Sequence, residues 1–193
     1  ARGRPRTFDE TEALERAMQL FWSRGYSATG LSELLSEMGI SRQSLYDTFG
    51  NKRALFLRTI EHYRTTQLSR GLALLDREGS PRKNIEDVVA FFEALAGDER
   101  GRGCFVANAL VEVAPHDPEL ARVLEDTLDL LQDGLRAAVE RAQEQGEIPA
   151  GRSPTALARA LTNAMIGMAV TGKLRPGREA LRDIEAGTLA MLG

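Results

Sequence analysis

Residues 30–56 read GLSELLSEMGISRQSLYDTFGNKRALF, and the spacing of their apolar side chains decides the fold. Leu31, Leu34, Leu35 and Met38 recur at helical intervals and predict an amphipathic helix with Ser32, Glu33, Ser36 and Glu37 on its wet side. Thr29 or Gly30 is its expected N-cap. Glu33 stands three residues after Gly30, where a carboxylate reaches back to the first free amides, and Gly39 ends the helix. Ile40 plugs the turn. Ser41 then caps a second helix whose Leu45 and Phe49, four residues apart, point inward and leave Arg42, Gln43, Ser44 and Tyr46 outside.

That outer face has a definite chemistry. Arg and Gln form paired hydrogen bonds with guanine and adenine edges, and Ser, Tyr and Lys suit phosphate oxygens. A short helix, a tight turn and a second helix of this kind place the second helix in the DNA major groove. Any helical hairpin with a polar face shares the pattern, so the flanking residues matter. The chain opens ARGRPR, an arm whose Arg4 and Arg6 suit a narrow minor groove, where negative potential is focused. Lys52 and Arg53 follow Gly50-Asn51 at the start of the next helix, where cations and free amides together clamp a phosphate. Phe8, Leu14, Ala17, Met18, Phe21 and Trp22 form an apolar stripe on a helix from about Asp9 to Arg24, which backs the hairpin with a core.

The succession Phe21, Gly25-Tyr26, Thr29, Gly39-Ile40-Ser41, Leu45-Tyr46, Phe49, Lys52 and Leu55-Phe56 resembles the N-terminal domain of the TetR family of bacterial transcriptional regulators. The resemblance spans roughly the first quarter of the chain. It implies an all-α homodimer with one recognition helix per subunit and a helical C-terminal body that binds an inducer. Carried over by position, it makes Ser41, Arg42, Gln43, Ser44 and Tyr46 recognition-helix contacts and puts Thr29 and Lys52 on phosphates. Two positions depart from the family pattern. Gly30 stands where a hydroxyl cap is common, and Asp47-Thr48 replaces a pair often aromatic or His. Repulsion keeps the Asp47 carboxylate from phosphates, which leaves it to accept from a cytosine amine or to face solvent.

Composition fits this reading. The chain has 193 residues, 42% of them hydrophobic, enough for one sizeable core or two small ones. No apolar run approaches the roughly 20 residues of a membrane span and no secretory segment is evident, so a cytoplasmic protein is expected. The net charge of −3 makes its distribution important: residues 1–53 hold eight Lys/Arg against seven Asp/Glu, the remainder 17 against 21. Binding would rest on a local basic surface, doubled in a dimer.

The expected division is a DNA-binding head over residues 1–56 and an effector-binding, dimerising body over 57–193. A long helix from about Lys52 to Arg77, with Gly71 inside it, links the two. Gly79-Ser80-Pro81 breaks the chain before a helix to about Ala96. Further helices are predicted over Cys104–Val113, from Asp117-Pro118-Glu119 to about Gln145, from Ser153-Pro154 to about Thr171, and from Arg178 to Leu192. No strand alternation occurs. On the last two helices, Leu157, Leu161, Met165 and Met168, with Leu181, Ile184 and Thr188, form stripes expected at a four-helix dimer interface, although they equally suit packing within one body. Symmetry favours the dimer, because two recognition helices one duplex turn apart read a palindrome.

Cys104, the single cysteine, follows Arg100 and Arg102 in the first turn of its predicted helix, a setting that favours a reactive thiolate; a buried cysteine also serves as a small hydrophobe. Gly103-Cys104-Phe105 with Asn108-Ala109 resembles a branch of the same family, some of whose members respond to electrophiles or unsaturated acids. Phe92, Cys104, Asn108 and Glu112, with Phe91, Phe105, Val111 and His116 nearby, are the candidates for a small-molecule effector site. Neither His62 nor His116 lies in a metal-spaced cluster, and no metal or other cofactor is expected. The reading is a regulator, not an enzyme: a repressor released from a palindromic operator by an effector or by thiol modification. The competing readings are a thiol-dependent enzyme built on Cys104 and a helical dimer that binds only proteins.

Overall fold

The computed structural model describes residues 8–98, 100–174 and 177–193. Every regular element among them is helical, in agreement with the sequence. The chain forms two compact units, one ending at Thr65 and the other beginning at Thr66.

The first unit holds α1 (Glu10–Arg24), α2 (Leu31–Met38), α3 (Arg42–Phe49) and α4 (Lys52–Tyr63). The Asp9 carboxylate caps α1 by accepting from the Glu12 amide at 3.0 Å, and the helix buries Ala13, Leu14, Ala17, Met18, Phe21 and Trp22 on one side. Phe21 meets Phe56 edge-on, centroids 5.0 Å apart, with Tyr26 against both, and Trp22 meets Tyr63 edge-on at 5.2 Å. Because Thr59, Ile60 and Tyr63 are buried here, a division after residue 56 cuts through α4, whose far half packs with the head. Gly39 ends α2 at φ 67°, a left-handed conformation that only glycine adopts freely, and the Ile40 amide returns to the Leu35 carbonyl at 3.2 Å. The turn to α3 takes three residues, Gly39, Ile40 and Ser41. Glu33 does not reach back to the helix start: Gly30 caps α2 without a side chain, and the Glu33 carboxylate pairs with Arg24 of α1 instead.

The second unit holds α5 (Ser69–Leu75), α6 (Pro81–Ala96), α7 (Phe105–Glu112), α8 (Pro118–Glu144), α9 (Pro154–Thr171) and α10 (Arg178–Leu189). The helix expected to run unbroken from Lys52 to Arg77 is interrupted at Arg64–Leu68 by a π-helical segment, a wider turn that apolar spacing alone does not register. Ser80, Asp117 and Ser153 each cap a helix that opens with proline, accepting from the Lys83, Leu120 and Ala156 amides at 3.0, 3.0 and 3.2 Å. Gly71 lies inside α5 and is buried; its bare Cα seats the Phe91 ring, which a Cβ there would approach to 3.1 Å. Buried Asn84 donates to the carbonyls of Leu75 and Arg77, at 3.3 and 2.7 Å, and so closes the C-terminal end of α5.

The stripes expected to face a second copy face inward instead. Leu157, Leu161, Met165, Met168 and Leu181 belong to the body's own core, and Thr188 is buried with its hydroxyl donating to the Ile184 carbonyl at 2.7 Å. Of that set only Ile184, 37% exposed, remains on the surface. The reason is physical: α6 and α8 present apolar faces that must be covered within one chain, and the largest side chains of α9 and α10 do so. Outside, α9 leaves Ala156, Arg159, Asn163, Gly167 and Val170 exposed, and α10 leaves Arg182, Asp183, Ile184, Ala186 and Gly187, so the outer faces mix small residues with charged ones.

Candidate nucleic-acid interface

The turn after α2 delivers Ser41 as the N-cap of α3. Its Oγ accepts from the Ser44 amide at 3.0 Å and lies 2.9 Å from the Ser44 hydroxyl, so both serines are engaged in fixing the start of the helix. Leu45 and Phe49, the inward anchors, are 0% and 4% exposed. Arg42 and Gln43 lie exposed on the opposite side with Tyr46 and Asp47. The Gln43 Nε2 donates to the Asp47 carboxylate at 2.7 Å across one helical turn, which answers the question of where Asp47 turns.

Lys52 opens α4 just after Asn51, whose side chain accepts from the Ala54 amide at 2.8 Å. Its ammonium lies 4.4 Å from the centroid of the Tyr26 ring, a cation–π contact that ties the cation to the head's aromatic cluster. Thr29 is not available to a phosphate: it is wholly buried, its hydroxyl donating to the Gly25 carbonyl at 2.6 Å. Because the chain turns inward between α1 and α2, that hydroxyl closes the end of α1. Arg4 and Arg6 lie outside the described residues. One residue without a signal in the spacing is Arg58. From α4 it donates to the Thr48 carbonyl at 3.4 Å, covers the Phe49 ring at 4.9 Å and pairs with Glu10, so it ties the C-terminal end of α3 to α1.

The effector candidates fare differently. Phe92 is a core residue of the body, edge-on to Phe91 at 5.6 Å. Cys104 is the N-cap of α7, one position ahead of the first turn, and is 8% exposed. Asn108 spends both ends of its amide within the protein, donating to the Arg102 carbonyl at 2.9 Å and accepting from Lys173 at 3.0 Å. Arg102, expected to act on the thiol as a cation, donates to Asp98 at 2.8 Å. Partial burial raises the Asp98 carboxyl, but the hydrogen bond and charge of Arg102, with Arg100, outweigh it and hold the group below its ordinary value. Glu112 is half-buried, and neighbouring Val111 turns to solvent, 72% exposed. Sequence reading missed Thr162 on α9. Its hydroxyl is buried and has no hydrogen-bond partner, whereas buried Thr127 and Thr188 both donate to the carbonyl four residues back. Among the described residues there is no His, Cys, Asp or Glu cluster able to hold a metal, and no helix long and apolar enough to cross a membrane.

Comparison with known proteins agrees with this geometry. Residues 13–59 match the model of the bacterial regulatory proteins of the tetR family, and residues 82–187 match the tetracyclin repressor-like C-terminal domain. The chain is 37% identical over 183 residues to the uncharacterized HTH-type transcriptional regulator YezE of Bacillus subtilis, covering 94% of each chain. It is 31% identical to the HTH-type transcriptional repressor ComR of Escherichia coli, covering 99% of this chain and 92% of the other. Its fold superposes with a TM-score of 0.87 and 30% identity on a cysteine-substituted form of the regulator CifR complexed with 26-bp double-strand operator DNA, covering 97% of this chain and 98% of that one. A helix-turn-helix head, a helical body and these matches along nearly the whole chain agree: the protein belongs to the TetR family of bacterial transcriptional regulators.

Proposed function

We propose that the protein is a cytoplasmic repressor, not an enzyme, which binds a palindromic operator as a homodimer and leaves it when the body takes up a small molecule or when Cys104 is modified. The observation that carries the DNA-binding part is the solvent-facing side of α3, where Arg42 and Gln43 stand exposed above the buried anchors Leu45 and Phe49. The head supplies base and phosphate contacts, Lys52 among the latter, and the body supplies pairing and regulation.

The outer faces of α9 and α10 support pairing. A Cβ added at Gly167 or Gly187 would meet nothing within 4 Å, so both positions leave open space for the close approach of a second copy. Gly167→Arg is therefore expected to leave the protomer folded, since arginine is the better helix former by up to about 1 kcal/mol, and to convert the dimer to a monomer. Sedimentation and duplex binding test both levels together. Wild-type protein should bind a duplex selected from a random-sequence pool with an affinity that falls steeply with salt, and Arg42→Ala should cost about 1–3 kcal/mol at one base pair of each half-site. Gly167→Arg should lose binding along with dimerisation. Affinity independent of salt and sequence would contradict the reading.

Thr162 supports an effector site in the body. A buried hydroxyl without a partner costs about 1–3 kcal/mol, and an effector with a matching polar group would recover it. Thr162→Val should accordingly stabilise the protein by about 1–3 kcal/mol in urea unfolding, while weakening release from DNA by a polar effector. A destabilised variant would show that the hydroxyl is already satisfied.

A further inference from the structure

The hydrogen bond between Gln43 and Asp47 orients an amide on the exposed side of α3. An ionised carboxylate has no proton to give, so the end of the Gln43 side chain that faces it at 2.7 Å is the –NH2 end. The amide flip that a solvated glutamine makes freely is thereby biased to one sense. One amide hydrogen goes to Asp47, and the remaining N–H and Oε1 present a donor beside an acceptor. Adenine offers the complement in the major groove, with N7 accepting and N6–H2 donating, whereas guanine offers two acceptors, N7 and O6. The Asp47 charge works in the same direction: it repels the guanine acceptors and any phosphate within reach, and nothing in duplex DNA except base amino groups attracts it.

We infer that Asp47 is a specificity-determining positioning residue, which locks Gln43 in the sense that reads adenine and excludes guanine at one base pair of each half-site. The inference rests on the DNA-binding reading above and assigns Asp47 a role at the cost of affinity: its charge weakens attachment to DNA of any sequence, and its hydrogen bond sharpens the choice of base.

The test uses the full-length dimer and duplexes selected by the wild-type protein from a random-sequence pool, with each base pair of the selected site then replaced in turn. Wild-type protein is expected to prefer adenine to guanine by about tenfold or more at the position read by Gln43, the range of a good paired contact. Gln43→Ala should lose both affinity and that preference. Asp47→Ala should bind the selected duplex as tightly as wild type or several-fold tighter, yet prefer adenine less than about threefold at that same position. Asp47→Asn, which removes the charge but keeps an acceptor for the Gln43 –NH2, should gain affinity and retain most of the preference. Helical content of each variant confirms folding, since the pair lies on the surface. If Asp47→Ala keeps the wild-type preference, or if the position lost in Gln43→Ala is not an adenine, the inference is overturned while DNA binding stands. If wild-type protein enriches no sequence from the pool, the DNA-binding reading fails and the inference falls with it.

Discussion

Phe21→Ala is expected to lower the stability of the DNA-binding head by about 3–5 kcal/mol and to abolish DNA binding at physiological temperature. Phe21 is 1% exposed and sits where α1, the turn after it and α4 converge: its ring meets Phe56 edge-on at 5.0 Å and stacks beside Tyr26 at 6.0 Å. Truncation removes the ring's transfer energy, leaves a cavity that three elements cannot close together, and forfeits about 0.5–1.5 kcal/mol per aromatic pair. A unit of about 60 residues is marginal by its size, with a total stability on the order of 3–10 kcal/mol, so the loss takes most of it. Trp22, the chain's one tryptophan, lies edge-on to Tyr63 within the head and reports its unfolding by fluorescence. The tryptophan transition should shift to low urea while much of the helical signal, which comes from the body with its own core, unfolds later. A single unshifted transition would mean that the aromatic cluster contributes little.

Gly103→Ala is the second large effect, and it strikes the body. Gly103 has φ 64°, a conformation that costs a residue with a Cβ about 1–2 kcal/mol. Its added Cβ would also lie 2.4 Å from the Ala169 carbonyl oxygen and 3.2 Å from Lys173. Backbone near the end of α9 would have to move, at about 1–3 kcal/mol more. The movement reaches the network in which Arg102, Asn108 and Lys173 are joined and displaces the start of α7, where Cys104 stands. Gly146→Ala is the control, because Gly146 has φ 74° with nothing within 4 Å of the added atom. Urea unfolding should show Gly103→Ala costing at least about 1 kcal/mol more than Gly146→Ala. Equal costs would show that the contact with α9 is easily relieved.

Cys104 and Asn108 show why the body's chemistry was harder to read than the head's. The sequence places Arg100 and Arg102 before the cysteine, but only the fold shows that Arg102 is engaged by Asp98, and that Asn108 joins Arg102 to Lys173, 65 positions further along. Thr162 is an ordinary threonine in a helix until its rotamer is known. Phe92, expected at an effector site, lies in the body's core, and its spacing does not tell the two apart, because an apolar ring bears no mark of which neighbours surround it. In the head, by contrast, Ser41 and Gly39 act through neighbours within a few residues, and Leu45 and Phe49, four positions apart, mark the buried side of α3, so their roles follow from spacing.

The sequence by itself determined the all-helical architecture, the helix starts at Ser41, Asp117 and Ser153 and the turn that presents α3, because these depend on interactions between residues one to four positions apart. It also carried the family, through residues spread over the head. Only the tertiary structure decided that the apolar stripes of α9 and α10 serve the protomer's own core, that Thr29 is buried, that the link after α4 contains a π turn, and that Asp47 faces Gln43. The first two depend on which surfaces distant segments bring together. The last two depend on backbone register and side-chain rotamer, and a pattern of apolar spacing leaves both undetermined.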